Sequence, residues 1–254
     1  MKRFLSLLCG CAWAGAALMA CTPKPQASPP PAHFEPLQVI WSGTSGGYDV
    51  SWTSREISAQ RSGAKSAAPA FSETGLTIAD FSDISSRKTG DCDFKRVATV
   101  LSLVGPWLSL EHADELHCGQ GGEPTLRHSA LTIDLARPRE RPQLTRIIPS
   151  AKTAISAALT SARNACHGGA PADFLNRFAF VQLRGAQIQV RFGLPADCSA
   201  ADVTAWLPVP PARSAWFIAA AHKTRGFLMA DQATVARGRG TTILYHVHTA
   251  SSSR

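Results

Sequence analysis

The first twenty residues constrain this chain most, because they decide in which compartment it folds. Lys2 and Arg3 precede an apolar run that reaches Ala20 and contains no acidic side chain. A basic tip, a short apolar stretch and small residues at its end are typical of a secretory signal. The run is shorter than the ~18–20 residues that a membrane-spanning helix requires. We therefore predict that residues 1–20 are a signal peptide.

The predicted signal ends at a cysteine. The sequence Leu18-Met19-Ala20-Cys21 resembles the lipobox of bacterial lipoproteins, in which the cysteine receives a diacylglycerol before cleavage. The resemblance implies that Cys21 is lipidated and anchors the protein to a membrane. The alternative is an ordinary secreted protein in which Cys21 is coincidental. Thr22 stands where an inner-membrane retention signal usually has Asp, so we expect a cell-envelope lipoprotein on the outer membrane, facing the periplasm.

A proline-rich segment follows the anchor. Residues 22–32 contain five prolines, and proline favours an extended path of about 3.1 Å per residue. We interpret residues 21–36 as the lipidated cysteine with its tether, and residues 37–254 as a single domain.

The mature chain is basic. Removal of residues 1–20 takes away Lys2 and Arg3 and no acid, so the formal charge falls from +8 to +6. In the envelope we expect no nucleic acid partner, whereas anionic lipid headgroups, lipopolysaccharide or cell-wall polymer suit a basic surface. An arginine-rich proteome would explain the charge equally well.

Four cysteines remain after the anchor: Cys92, Cys118, Cys166 and Cys198. An even number in an oxidising compartment predicts two disulfides, and the Cys-x-x-Cys spacing of a zinc site is absent. Three pairings are possible. The local pairing, in which each cysteine joins its nearest neighbour along the chain, closes loops that stabilise by about 3–4 kcal/mol each.

Alternating and β-branched stretches in the first half predict strands at residues 37–41, 48–52, 94–104, 107–112 and 126–135. The first two form a hairpin around a glycine-rich loop at residues 42–47. If Gly105-Pro106 is the turn of the next hairpin, opposed residue numbers add up to about 211. Cys92 and Cys118 add up to 210, so we expect them to lie close, with a bulge or a longer turn that corrects the offset.

Helical and strand patterns mix in the second half. Helices are predicted at residues 153–163, at 172–176 and from Pro211 to about Lys223, and strands at residues 178–183, 188–193, 204–207 and 241–247. Residues 62–70 are predicted to form a flexible loop. Because strands and helices are grouped and do not alternate, the expected class is α+β, with a mostly antiparallel sheet and a few helices.

Several short motifs resemble the C-terminal domain of lysozyme-binding anti-sigma factors of the RsiV type, a domain that also stands beside some secreted polysaccharide deacetylases. They are residues 100–111 (VLSLVGPWLSLE), 118–124 (CGQGGEP) and 132–135 (TIDL), with shorter matches at residues 178–180, 190–194 and 207–210. The resemblance covers most of the mature chain. The family has a Gly-Gly-Ala-His-Pro turn where this chain has Gly121-Gly122-Glu123-Pro124. Any property that depends on that histidine is therefore not implied here.

Three patterns suggest chemistry without completing it. Gly43-Thr44-Ser45-Gly46-Gly47 matches G-x-S-x-G of serine hydrolases, but a strand and not a helix is predicted after Ser45. His112 and His117 lie five residues apart on a predicted strand, so their side chains point to opposite faces and cannot bind one metal ion. His246 and His248 share a face, but no third metal ligand can be named. We predict no cofactor and no catalytic residue.

The favoured hypothesis is a non-enzymatic envelope protein that binds a protein or a glycan, with lysozyme or peptidoglycan as leading candidates. A hydrolase or deacetylase accessory and a purely structural protein are the alternatives. The 119–124 turn and the basic 137–141 loop are the expected binding surface. The basic loop suits an anionic glycan, whereas basic lysozyme requires Glu111, Asp114, Glu115 and Glu123. We predict six binding residues on this surface: Glu115, Gly121, Gly122, Glu123, Arg139 and Arg141.

Overall fold

A computed structural model describes residues 37–65, 68–85, 91–119, 123–229 and 239–247 of the chain. Every strand pairing in it is antiparallel. The helices are fewer and mostly short, so the predicted α+β class is confirmed. Among the described residues, no helix is long and apolar enough to cross a bilayer.

The first sheet contains four strands in sequential order: β1 (Val39–Ser45), β2 (Tyr48–Thr53), β3 (Ile57–Arg61) and β4 (Phe71–Ser72). The predicted loop at residues 42–47 is wrong, because β1 continues to Ser45 and pairs with β2 up to a two-residue turn. Gly46 and Gly47 both have positive φ angles, which is the conformation that a tight turn between strands requires.

The central sheet is built on a long hairpin, β5 (Cys92–Val104) and β6 (Trp107–Cys118), which turns at Gly105-Pro106. The register shifts between Val100 and Ser102, and this bulge brings Cys92 opposite Cys118. Both the hairpin and the offset predicted from the residue numbers are confirmed. The third long strand, β7 (Thr125–Asp134), pairs with β6 and is an edge of the sheet, while two strands from the C-terminal part, β11 (Phe227–Leu228) and β12 (Thr241–Val247), pair with β5.

One face of the central sheet packs against the first sheet. The core between them contains Trp52, Ile57, Val100 and Leu110, all with almost no exposed surface. Helix α1 (Glu73–Ser85) covers the remainder of this face, where Phe81 contacts Phe94. The sequence did not predict α1.

The other face packs against the third sheet, formed by β8 (Phe178–Arg184), β9 (Gln187–Gly193) and β10 (Asp202–Pro208). Ser109 and Thr132 hydrogen-bond the backbone of β8 from the central sheet. The helices that complete this core are α2 (Leu144–Ile147), α3 (Ala151–Ala154), α4 (Ser156–Ala165) and α5 (Ser214–Ala220).

Three details of this half differ from the prediction. The single helix expected at residues 153–163 is divided at Ile155 into α3 and α4. A 3₁₀ turn (Phe174–Asn176) replaces the helix expected at residues 172–176. Helix α5 ends at Ala220, about three residues earlier than expected, and Gly226 then packs so close to its end that a Cβ there would be 2.1 Å from the Ala219 carbonyl oxygen. The disulfide prediction is confirmed in its local pairing, Cys92–Cys118 and Cys166–Cys198.

Candidate functional site

A cleft of about 220 Å³ lies at the end of the central sheet where the β5–β6 hairpin turns. Its walls come from that turn, the chain that follows β7, and helix α2. We call it the basic cleft, because four arginines line it: Arg137, Arg141, Arg146 and Arg213.

Only part of this positive charge is neutralised. Arg137 lies 3.5 Å from Asp134 and 3.3 Å from Glu140, the two acids that line the cleft. Arg141 and Arg146 are exposed and form no ion pair with any described residue. The cleft therefore presents a net positive surface, which attracts anionic groups.

Two tryptophans lie beside these arginines. The Arg213 guanidinium is 4.8 Å from the Trp107 ring centroid and 5.6 Å from that of Trp216. The two indoles pack edge to face at 5.2 Å. Trp107 is buried, whereas Trp216 is 38 % exposed. A Cβ at Gly105 would lie 2.6 Å from the Trp216 ring, so glycine at the turn is what lets this indole cover it.

A second cleft, of about 320 Å³, lies beside β7. We call it the edge cleft, because four consecutive residues of this edge strand line it, from His128 to Leu131. Leu194 and Pro195 line it after the end of β9. Arg141 lines both clefts and joins them into one surface.

Behind the edge cleft, a charged row crosses three strands. Arg96 pairs with Asp114 across β5 and β6, and Asp114 with Arg127 across β6 and β7. The fully buried Arg96 donates from Nε and Nη2 to the two Asp114 oxygens at 2.7 and 3.0 Å. Arg127 donates from Nη2 to Oδ2 of Asp114 at 3.0 Å. Burial alone raises the pKa of Asp114, but the hydrogen bonds and charge of Arg96, with help from His112 and Arg127, hold it below its ordinary value.

Helix α1 contributes a second carboxylate to this cluster. Glu73 Oε1 accepts hydrogen bonds from Arg96 Nη1 at 3.3 Å and from the Thr77 hydroxyl at 3.1 Å. His112 Nε2 also lies 3.1 Å from this oxygen, but the two groups are not aligned for a hydrogen bond. Burial alone would raise the pKa of Glu73. The combined effect of His112, Arg96 and Thr77 is larger, so the pKa of Glu73 lies below its ordinary value.

The structure separates the residues that the sequence grouped into one binding surface. Arg141 lines both clefts, and Arg139 is exposed on the same loop. Glu115 is far away, because it lies eight residues along β6 from Trp107, about 26 Å at the usual rise of a strand. Glu123 is exposed near that distant end. Gly121, Gly122 and Cys21 lie outside the described residues.

The acids that lysozyme binding would require are mostly occupied by neighbouring cations. Asp114 is buried between Arg96 and Arg127. Glu111 accepts a hydrogen bond from Arg191 at 3.0 Å. Glu115 lies 3.6 Å from Lys95 and 2.8 Å from His117.

The three motifs considered for catalysis or metal binding are now located. Ser45 ends β1 and is followed by a turn and a strand. His112 is buried, whereas His117 is exposed, so the two rings lie on opposite faces of β6. His246 is hydrogen-bonded to Asp93, and His248 lies outside the described residues. Within the described ranges, no group of three or more His, Cys, Asp or Glu side chains could hold a metal ion.

Sequence reasoning missed the buried charged cluster, although a signal for it exists. Arg96 is in phase with Cys92, Phe94, Ala98 and Val100, the buried face of β5. His112 and Asp114 are likewise in phase with Leu110 and Leu116 on β6. Charged residues at the inward positions of two adjacent strands indicate a paired, buried network.

Comparisons with protein-family models, with curated proteins and with solved structures each find no match for this chain. The resemblance to the RsiV-type domain therefore stays a prediction.

Proposed function

We propose that this protein is an outer-membrane lipoprotein of the cell envelope, anchored through Cys21, whose folded part binds an anionic cell-wall glycan in the basic cleft. Peptidoglycan is the leading candidate, since it combines neutral sugar rings with carboxylates on the short peptides that branch from them. Binding and not catalysis is the proposed activity.

One observation carries the proposal: two unpaired arginines stand beside an arginine–tryptophan stack. Arg141 and Arg146 have no acidic partner among the described residues, so a carboxylate can pair with either without displacing a protein group. Charge-assisted hydrogen bonds from arginine to carboxylates are among the stronger polar contacts. The exposed part of Trp216 offers an apolar surface on which a sugar ring can pack.

The same charges disfavour lysozyme as the ligand. A basic protein would be repelled by the basic cleft, and three of the four acids expected to attract it are already paired. Glu123 is the exception. An anionic glycan therefore has better support than lysozyme.

The test is co-sedimentation of the full chain, purified in detergent, with isolated peptidoglycan. We expect the double variant Arg141→Glu, Arg146→Glu to bind about tenfold more weakly or worse, because two charge-assisted contacts become repulsive. Binding by the unchanged protein should also weaken as salt is raised.

A matched control reverses two other exposed arginines, Arg163 on α4 and Arg184 on β8, which lie away from both clefts. This variant should sediment like the unchanged protein. Equal losses in the two variants would mean that binding follows net charge and not the cleft. Micromolar binding to lysozyme that is lost on Glu115→Lys with Glu123→Lys would assign function to the opposite end of the sheet.

A further inference from the structure

We propose that the edge cleft is a second binding site, for a short extended peptide that ends in a free carboxylate. The inference rests on the proposed function and deepens it, because a glycan that carries short peptides would occupy both clefts at once.

One positive charge that lines the edge cleft is free to pair with an anion. Three of its four arginines are already paired: Arg96 and Arg127 with Asp114, and Arg177 with Asp173 at 2.7 Å. The fourth, Arg141, has no acidic partner among the described residues. A ligand with a single carboxylate would form an ion pair with Arg141. A second carboxylate would meet no other unpaired arginine among the described residues of this cleft.

Polar groups without charge also line the edge cleft. The Ser129 hydroxyl and the Asn176 carboxamide face it and form no side-chain hydrogen bond with another described residue. Both can donate and accept hydrogen bonds, as can the N–H and C=O groups of an extended peptide. The strand that lines the cleft is an edge strand, and edge strands commonly receive extended peptides.

The shared arginine connects the two ligands. Because Arg141 lines both clefts, a carboxylate held there would lie between a glycan in the basic cleft and a peptide in the edge cleft. Peptidoglycan has this chemistry, since a short peptide with a free carboxylate branches from each glycan strand.

The test is isothermal titration calorimetry on the full chain in detergent, with the tetrapeptide Ala-Gln-Ala-Ala, whose only carboxylate is at its C-terminus, as a free acid and as its C-terminal amide. We expect the acid to bind and the amide to bind about tenfold more weakly, since a charge-assisted pair is lost. Arg141→Gln should remove the difference between the two forms. Asn176→Ala should weaken both forms by a similar factor.

Arg146→Gln is the matched control, because Arg146 lines the basic cleft alone. It should leave tetrapeptide binding unchanged while it weakens sedimentation with peptidoglycan. If Arg146→Gln weakens sedimentation but no tetrapeptide binds, this inference fails and the proposed function stands. If the tetrapeptide binds as expected but peptidoglycan does not sediment the protein, the proposed function fails and the edge site stands. Equal binding of acid and amide would overturn the role of Arg141.

Discussion

At the scale of single residues, the buried Arg96 is the most consequential side chain in the fold. It lies inside a β-sheet core with no exposed side-chain surface, and its guanidinium contacts three carboxylates, those of Asp114, Glu73 and Asp80. Removing one partner of a buried pair is costly, because the remaining charge cannot recover its hydration. Each buried charge in this cluster is therefore stabilised only while its oppositely charged neighbours are present.

Asp114→Asn tests this dependence. We expect the free energy of unfolding to fall by about 3–5 kcal/mol, since Arg96 and Arg127 lose their shared carboxylate. Glu140→Gln is the control, because its ion pair with Arg137 is exposed and should contribute less than about 1 kcal/mol. Urea denaturation at neutral pH measures both. Equal losses in the two variants would contradict a special role for the buried row.

The same cluster predicts how stability depends on pH. The pKa values of Asp114 and Glu73 are lowered in the folded state from 3.8 and 4.5. The unfolded chain thus binds protons first as the pH falls, so this stabilisation is complete above about pH 5 and is lost progressively below it. Thermal unfolding between about pH 6 and pH 3 should show a falling midpoint. The fall should be shallower for Asp114→Asn, and identical curves would refute the assignment.

At the scale of elements, the β5–β6 hairpin determines the positions of the basic cleft and of the first disulfide. Its turn forms a wall of the basic cleft, and its bulge at residue 101 aligns the cysteines at the other end. The second disulfide ties the end of α4 to the β9–β10 connection, where the Ser199 N–H also donates to the Ala165 carbonyl. The two disulfides therefore stabilise different halves of the fold.

Replacing either cysteine pair by serine should lower the free energy of unfolding by about 3–4 kcal/mol, because each disulfide limits the unfolded chain over a comparable loop. Loss of Cys92–Cys118 should leave the strand register intact, since the hairpin is already paired up to these residues. Denaturant unfolding measures the loss, and amide hydrogen exchange follows the register. Peptide mapping without reduction should recover both pairs, and crossed pairs would contradict the fold.

At the scale of the whole molecule, the proposed lipid anchor at Cys21 would keep the protein at the membrane that faces the cell wall.

Cys21→Ser tests the anchor. We expect the variant to lose labelling by a palmitate analogue and to leave the membrane fraction, because acyl chains contribute about 0.8 kcal/mol for each buried CH₂ group. Thr22→Ser is a control that keeps the cysteine and should retain both the label and the membrane. Unchanged labelling and fractionation of Cys21→Ser would contradict lipidation at this position.

The sequence by itself determined the long hairpin, the local disulfides and most of the strands, but not β3, β4 or β11. These features are encoded by periodicity, by turn residues such as Gly105-Pro106 and by the count of residues between Cys92 and Cys118, all of which are local or close to local. It also directed attention to the 137–141 loop, because clustered arginines are visible without a fold.

The tertiary structure alone decided the rest. Helix α1 turns Glu73 and Thr77 inward together with Phe81, so its buried face is partly polar and lacks the continuous apolar stripe from which a helix is predicted. Arg213 and Trp216 lie some seventy residues from Arg141 along the chain, and only the packing of α5 at the β5–β6 turn brings them together. The length of β6 keeps Glu115 at the far end of the sheet. Two residues share a surface predictably only when the chain between them is short. Glu115 and Arg141 are separated by the full length of the central sheet, so the sequence grouped them wrongly.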